Sequence, residues 1–264
     1  MQDHSTLPSV YLPHGGGPAF FMSGGMADLF RPMGRFLATF PEQLPSRPKA
    51  ILVATAHWET AVTTFCGGKH PELIYDYHGF PPETYSLTYA APGAPELAQE
   101  AAGLLRRAGH QAVVDPEHGW DHGVFIPLKQ MFPDADIPVL AMSLKLGLDP
   151  REHHAIGEAL RSLRHAGVLI MGSGMSYHNL RQMDNAAAAS EFDRWLDGAL
   201  AGEADHRRTW LAQWSRAPSG RISHPREEHL LPLMVASGAG GDAPGRKLWS
   251  GAVGPTAVSA WAFD

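Results

Sequence analysis

Histidine dominates the chemically capable side chains of this 264-residue chain, with 15 copies against a single cysteine. Neutral imidazole is a borderline ligand suited to Fe(II), Zn(II) and copper, and three of them around a centre with open positions make a reactive arrangement. A further, uncoordinated imidazole can carry protons near neutral pH. Placement says more than number. Val10-Tyr11-Leu12-Pro13 runs into His14-Gly15-Gly16-Gly17-Pro18, and the apolar stretch Ala50 to Ala56 runs into His57-Trp58-Glu59. Val168 to Met171 runs into Gly172-Ser173-Gly174-Met175-Ser176-Tyr177-His178-Asn179. Residues just past the carboxyl ends of parallel strands share one crevice, so side chains far apart in sequence can meet there. His229, ahead of an apolar helix, and His122, in Trp120-Asp121-His122-Gly123, are the fourth and fifth candidates.

The same residues admit other chemistry. His14-Gly15-Gly16-Gly17 has the form of a lipase oxyanion loop, but the nearest nucleophile elbow, Gly174-Met175-Ser176-Tyr177-His178, carries His where the last glycine belongs. A phosphate loop fails because no Lys-Ser or Lys-Thr follows the glycines. His118 and His122 have helical ligand spacing, yet Pro116 and Gly119 favour a loop. His224 and His229 could both face a metal, with Glu227 or Glu228 as a carboxylate ligand, and spacing does not choose among them. Trp58, Trp120, Phe125 and Tyr177 are candidates for an aromatic pocket, although packing in the core is the commoner fate. Arg181, Arg221 and Arg226 lie near these motifs and have the chemistry to bind a substrate carboxylate. His4, His70, His110, His153, His154, His165 and His206 have no such context and read as capping or surface residues.

Those side chains need a scaffold. Strands are expected at Val10 to Leu12, Ala50 to Ala56, Val62 to Phe65, Ile137 to Met142 and Val168 to Met171, mostly buried on both faces. Helices are expected from Asp149-Pro150, with Glu152 completing a capping box, to Gly167; from Pro95 to Ala108, stopped by Gly109; and over Ser190 to Leu200. Continuous apolar strands alternating with amphipathic helices give an α/β/α sandwich with a mostly parallel, mixed sheet, to which Leu87 to Tyr89 and Val258 to Phe263 could add antiparallel strands. No linker or charge run divides residues 1–264, so one domain is expected. A formal charge of -6 without any basic run disfavours nucleic acid. Cys66, being alone, leaves nitrogen and oxygen as metal donors and suits a reducing cytoplasm. Met1 to Ser9 lacks the charged start and apolar stretch of a signal peptide, and no run reaches the ~18 apolar residues of a membrane span.

Taken together, His14-Gly15-Gly16-Gly17-Pro18, Thr55-Ala56-His57-Trp58-Glu59, Tyr75-Asp76-Tyr77-His78-Gly79-Phe80-Pro81, Gly119-Trp120-Asp121-His122-Gly123, Ser173 to Leu180 and Glu228-His229-Leu230-Leu231-Pro232-Leu233 resemble the 4,5-DOPA dioxygenase family. This is a branch of the class III extradiol ring-cleavage dioxygenases, related to the catalytic subunit of protocatechuate 4,5-dioxygenase, and the likeness spans nearly the whole chain in order. The resemblance implies that His14, His57 and His229 bind the metal, that His178 is the acid/base histidine and that His122 hydrogen-bonds substrate or oxygen. In the protocatechuate branch the third ligand is glutamate, so His229 is a departure that makes the ligand set neutral and opens it to Zn(II) as well as Fe(II). The implied activity is opening of a catechol-type, DOPA-like ring with O2 outside its two hydroxyls, giving a muconic semialdehyde, with Fe(II) as the active metal. A zinc hydrolase and a non-catalytic binding module on the same fold are the alternatives.

Overall fold

A computed structural model describes residues 6–264; His4 and the first residues of the N-terminal segment lie outside that range. One eight-stranded sheet is formed by β1 (Ser9–Pro13), β2 (Ala50–Thr60), β3 (Thr63–Cys66), β4 (Ala112–Asp115), β5 (Val139–Lys145), β6 (Val168–Gly174), β7 (Gly245–Val253) and β8 (Thr256–Phe263). Their spatial order is β4-β3-β5-β2-β6-β1-β8-β7. The pairs β3–β4, β2–β5, β2–β6 and β1–β6 are parallel, whereas β3–β5, β1–β8 and β7–β8 are antiparallel.

The helices in chain order are α1 (Gly25–Thr39), α2 (Pro95–Arg107), α3 (His122–Met131), α4 (Pro150–Leu160), α5 (Ala186–Ala201), α6 (Ala204–Leu211), α7 (Gly220–Ser223) and α8 (Leu231–Gly240). Strand β2 shows why its apolar run is unbroken. Ile51 and Val53 pack with Phe36, Leu37 and Phe125 of α1 and α3, while Leu52 and Ala54 pack with Ala101, Leu105, Ile156 and Val235 of α2, α4 and α8. Both faces are covered, as parallel strands require. Helix α8 is buried along its whole length, and a further cluster ties it to Phe192, Leu196 and Leu200 of α5 and to Trp261 and Phe263 of β8. Among the described residues no helix is long and apolar enough to cross a membrane.

The expected α/β/α sandwich is what forms, with several local corrections. Leu87 to Tyr89 is not a strand; the Leu87 carbonyl accepts from the Tyr75 hydroxyl and the Thr88 carbonyl from Lys129, so side chains take two of the groups a ladder would use. Val258 to Phe263 does pair antiparallel, within β8. Asp149 caps α4 by accepting from the Arg151 N–H at 2.7 Å, but Glu152 pairs with Lys145 instead of closing a capping box. That helix ends at Leu160 and tightens to a 3-10 turn over Arg161–Arg164 before Gly167. Strand β5 begins at Val139 instead of Ile137, and β2 continues past Ala56 to Thr60.

Candidate active site

Strand β6 lies between β1 and β2, so the three strand ends that carry histidines are immediate neighbours. His14 follows β1, and its N–H donates to the Gly174 carbonyl at 3.2 Å. Gly15 then turns at φ +89°, a left-handed conformation that a side chain would strain. His57 sits within β2 instead of beyond it, where the register against β5 shifts between Ala54 and Glu59. Such irregularities bend a strand and redirect its side chains.

His229 reaches the same place from the other layer. Its carbonyl accepts from the Tyr11 hydroxyl at 2.7 Å and from the Met175 N–H at 3.1 Å. A Cβ at Gly174 would stand 2.2 Å from that carbonyl oxygen, so only glycine lets the His229 backbone rest on β6. His122 opens α3; its backbone N–H and its ring Nδ1 each lie 2.9 Å from Asp76 Oδ1. His178 is held by its N–H to the Ser223 carbonyl at 2.9 Å, and its ring stacks on His229 with centroids 3.3 Å apart and planes 11° apart.

The five imidazoles therefore form one cluster. Ring centroids of His14, His57 and His229 are 4.8 to 5.2 Å apart, and His122 lies 3.9 Å from His57. His14 Nε2 and His57 Nε2 approach to 3.3 Å, while His229 Nε2 is buried with no hydrogen-bond partner. One nitrogen from each of these three rings lies within 4.8 Å of the others. Burial, reinforced by the neighbouring imidazoles, pushes the His14, His57 and His229 rings well below their ordinary pKa, so they stay neutral with free lone pairs. Three converging neutral nitrogens, one of them orphaned, fit a divalent transition metal.

Carboxylates stand behind the rings. Glu228 Oε1 lies 3.0 Å from His229 Nδ1 and 3.8 Å from His178 Nδ1, and Asp76 Oδ2 lies 3.5 Å from His57 Nδ1. Partners of this kind fix the tautomer of a metal-binding histidine. Burial tends to raise Asp76, but its hydrogen bonds and charge interaction with His122 outweigh this and hold the carboxylate below its usual range. Asp121, which accepts from the Thr55 hydroxyl at 2.7 Å, is pushed up to about 6 by burial and by the Asp76 charge. All five imidazoles line a cavity of about 680 Å³.

The structure thus gathers His14, His57, His122, His178 and His229, and separates the rest. His118 stacks flat on Trp58, centroids 3.7 Å apart, outside the cavity. His224 is fully buried, with Nε2 3.0 Å from the Ser176 carbonyl, and is part of the core. Glu227 pairs with Arg221, and Arg226 is bidentate to Glu59 at 2.5 and 2.6 Å. Ser176 Oγ accepts the Ser259 N–H at 2.9 Å, an arrangement that occupies the serine of the failed nucleophile elbow. Of the four aromatic candidates only Tyr177 lines the cavity; Trp58, Trp120 and Phe125 pack in the core, and Tyr77 and Phe80 take their place. Asp76 joins the site although residue type and spacing do not single it out; in the sequence it is an ionisable side chain flanked by the aromatics Tyr75 and Tyr77.

An α/β sandwich whose central parallel strands lead to an open imidazole cluster is a scaffold whose residues could hold a metal ion. The particular family follows from comparison: residues 4–261 match the model of the catalytic LigB subunit of aromatic ring-opening dioxygenase, and the chain belongs to that family. It is 40% identical to the 4,5-DOPA dioxygenase extradiol of Portulaca grandiflora, covering 85% of this chain and 86% of the relative. It is 39% identical to the dioxygenase tasH of Hapsidospora irregularis, covering 88% and 78%. A crystal structure of an uncharacterized protein from Escherichia coli K12 superposes with a TM-score of 0.78 at 29% identity, covering 98% of this chain and 100% of that one.

Proposed function

We propose that this protein is a non-haem extradiol dioxygenase, a single domain over residues 1–264, that opens a catechol-type ring with O2 using Fe(II) held by His14, His57 and His229. The observation that carries this reading is the convergence of those three imidazoles, with an orphaned His229 Nε2, on the wall of a cavity large enough for an aromatic substrate. When bound, the metal supplies a Lewis-acidic, redox-active centre that acidifies a diol and brings it together with O2.

The chain's own residues do the rest. His178, lowered to about 4 by burial and then by His122, is neutral at pH 7 and free to accept a hydroxyl proton and later return it. His122, fixed through Nδ1 by Asp76, leaves Nε2 to hydrogen-bond substrate or oxygen. Glu228 and Asp76 orient His229 and His57. Ring opening outside the two hydroxyls takes both atoms of O2 into a muconic semialdehyde. The isolated buried thiol of Cys66 accords with a cytoplasmic setting, and nothing in the charge pattern favours nucleic acid.

The test is to load metal-stripped protein anaerobically with Fe(II), admit O2 and record oxygen uptake and a yellow product with a panel of catechols. His178→Ala should retain the metal and lose roughly 10²- to 10⁴-fold in kcat, the usual worth of a positioned acid/base. No uptake from any catechol in protein holding one Fe(II) would refute the proposal, and hydrolysis restored by Zn(II) but not Fe(II) would replace it with a zinc hydrolase.

A further inference from the structure

Two features of the cavity bear on what fills it. The first is what its wall lacks. No Lys, Arg, Asp or Glu side chain lines it among the described residues, and apart from the five imidazoles its ionisable groups are Tyr77 and Tyr177. Both hydroxyls already donate to backbone carbonyls, Tyr77 to Thr84 and Tyr177 to Gln182, each at 2.7 Å. Of the nearby arginines, Arg226 pairs with Glu59 and Glu228, Arg221 pairs with Glu227 and the face of Trp214, and the exposed Arg181, next to Leu180, is not part of the cavity wall. A substrate carboxylate or ammonium held inside the cavity would therefore lose water and find no oppositely charged side chain on its wall, which is costly.

The second feature is the doorway. Leu180, Leu29 and Met26 line the cavity while exposing 73%, 48% and 43% of their surface, although exposed large apolar residues are few among the described residues. Three of them line the same cavity as the buried Phe30 and Val253 and the five histidines, so its wall includes both solvent-exposed apolar residues and the imidazoles. Contiguous exposed apolar surface around a cleft marks a binding site.

We infer that the substrate is a catechol carrying an uncharged apolar substituent, alkyl or aryl, which lies against Leu29, Met26 and Leu180. This rests on the dioxygenase reading for the position of the diol, but it departs from the amino-acid substrate in the names of the DOPA dioxygenase relatives. A substituent packed there gains about fourfold in affinity for each methylene taken out of water, from the transfer free energy of one CH2. A charged group at the same place gains nothing and must be desolvated.

The test compares charged and uncharged catechols of similar size, 3,4-dihydroxyphenylacetate with its methyl ester and DOPA with 4-isobutylcatechol, and follows a 4-alkylcatechol series. Dissociation constants are measured by calorimetry on the Fe(II) protein under argon, and kcat/KM is measured after O2 is admitted. The ester should exceed the acid at least tenfold in both, and affinity should rise through the alkyl series. Leu180→Arg, at a position exposed enough to leave the fold intact, should narrow or reverse the ester-to-acid ratio. Tighter binding of the acid or of DOPA by the wild-type protein would overturn the inference, as would an alkyl series without a trend. If the ester preference is seen in binding but no catechol is cleaved, the specificity stands and the dioxygenase reading falls. Failure to bind any catechol overturns both.

Discussion

Replacing Asp76 with asparagine tests whether the histidines work as a positioned set. The carboxylate faces two rings at once: Oδ1 takes His122 Nδ1 and the His122 backbone N–H, each at 2.9 Å, and Oδ2 lies 3.5 Å from His57 Nδ1. Asparagine is nearly isosteric but has only one acceptor oxygen. If that oxygen keeps the two His122 bonds, its amide N–H₂ is left facing His57 Nδ1. Nδ1 must then accept, so the His57 proton moves to Nε2, the atom 3.3 Å from His14 Nε2 that would otherwise offer its lone pair to a metal. Loss of such an orienting carboxylate typically costs 10- to 100-fold in metal affinity or activity, or about 1.4 to 2.7 kcal/mol. The assay is competition for Fe(II) or Zn(II) against a chromophoric chelator at pH 7.5, with Asp134→Asn as a surface control. Because His122 holds Asp76 below its usual pKa, the ionised form favours folding above an unfolded pKa near 3.9, and this contribution is lost as pH falls through the lower native value. The variant should therefore be slightly less stable at neutral pH while remaining folded. Metal affinity equal to wild type in folded Asp76→Asn protein would refute the assignment of Asp76 as the residue that sets the His57 tautomer.

Tyr11→Phe removes the hydroxyl that holds the His229 carbonyl and should cost about 1 kcal/mol of stability, read by urea denaturation, with a measurable loss of metal affinity. Gly174→Ala, whose Cβ would meet that carbonyl at 2.2 Å, should cost about 1 to 3 kcal/mol by overpacking and weaken metal binding more than Tyr11→Phe does. Metal at 100 times its dissociation constant should stabilise the wild-type protein by about 2.7 kcal/mol, seen as a rise in Tm, and His14→Ala should abolish the rise. His224, lowered to about 3 chiefly by burial, is neutral in the fold but has a pKa near 6.5 when unfolded. Its contribution is complete above pH 6.5 and is lost progressively as pH falls towards 3, by about 2 kcal/mol at pH 5. His224→Asn should remove that share of the acid sensitivity in denaturation curves compared at pH 8 and pH 5.

What the sequence determined by itself was whatever is written locally. Apolar runs ending in His14, His57 and the Gly172 to His178 loop were visible because strands buried on both faces read as continuous hydrophobic stretches. The caps of α4 and α2 were visible because Asp149, Pro150, Pro95 and Gly109 act on their own neighbours. The order of motifs carried the family resemblance. Tertiary structure decided everything that depends on which loops face one another. That β6 lies between β1 and β2, and so makes three histidine-bearing ends adjacent, is a pairing choice no local window contains. His118, His122, His224 and His229 are alike in sequence, yet one stacks on Trp58, one is buried against Ser176 and two join the cluster. Asp76 and His122 are 46 residues apart and have no shared periodicity, so their bond arises only when the irregular Tyr75 to Pro81 segment packs against the start of α3. Hydrogen bonds of this kind follow from the distance between folded surfaces, and that distance is set by the sheet order and by close approaches such as His229 on Gly174.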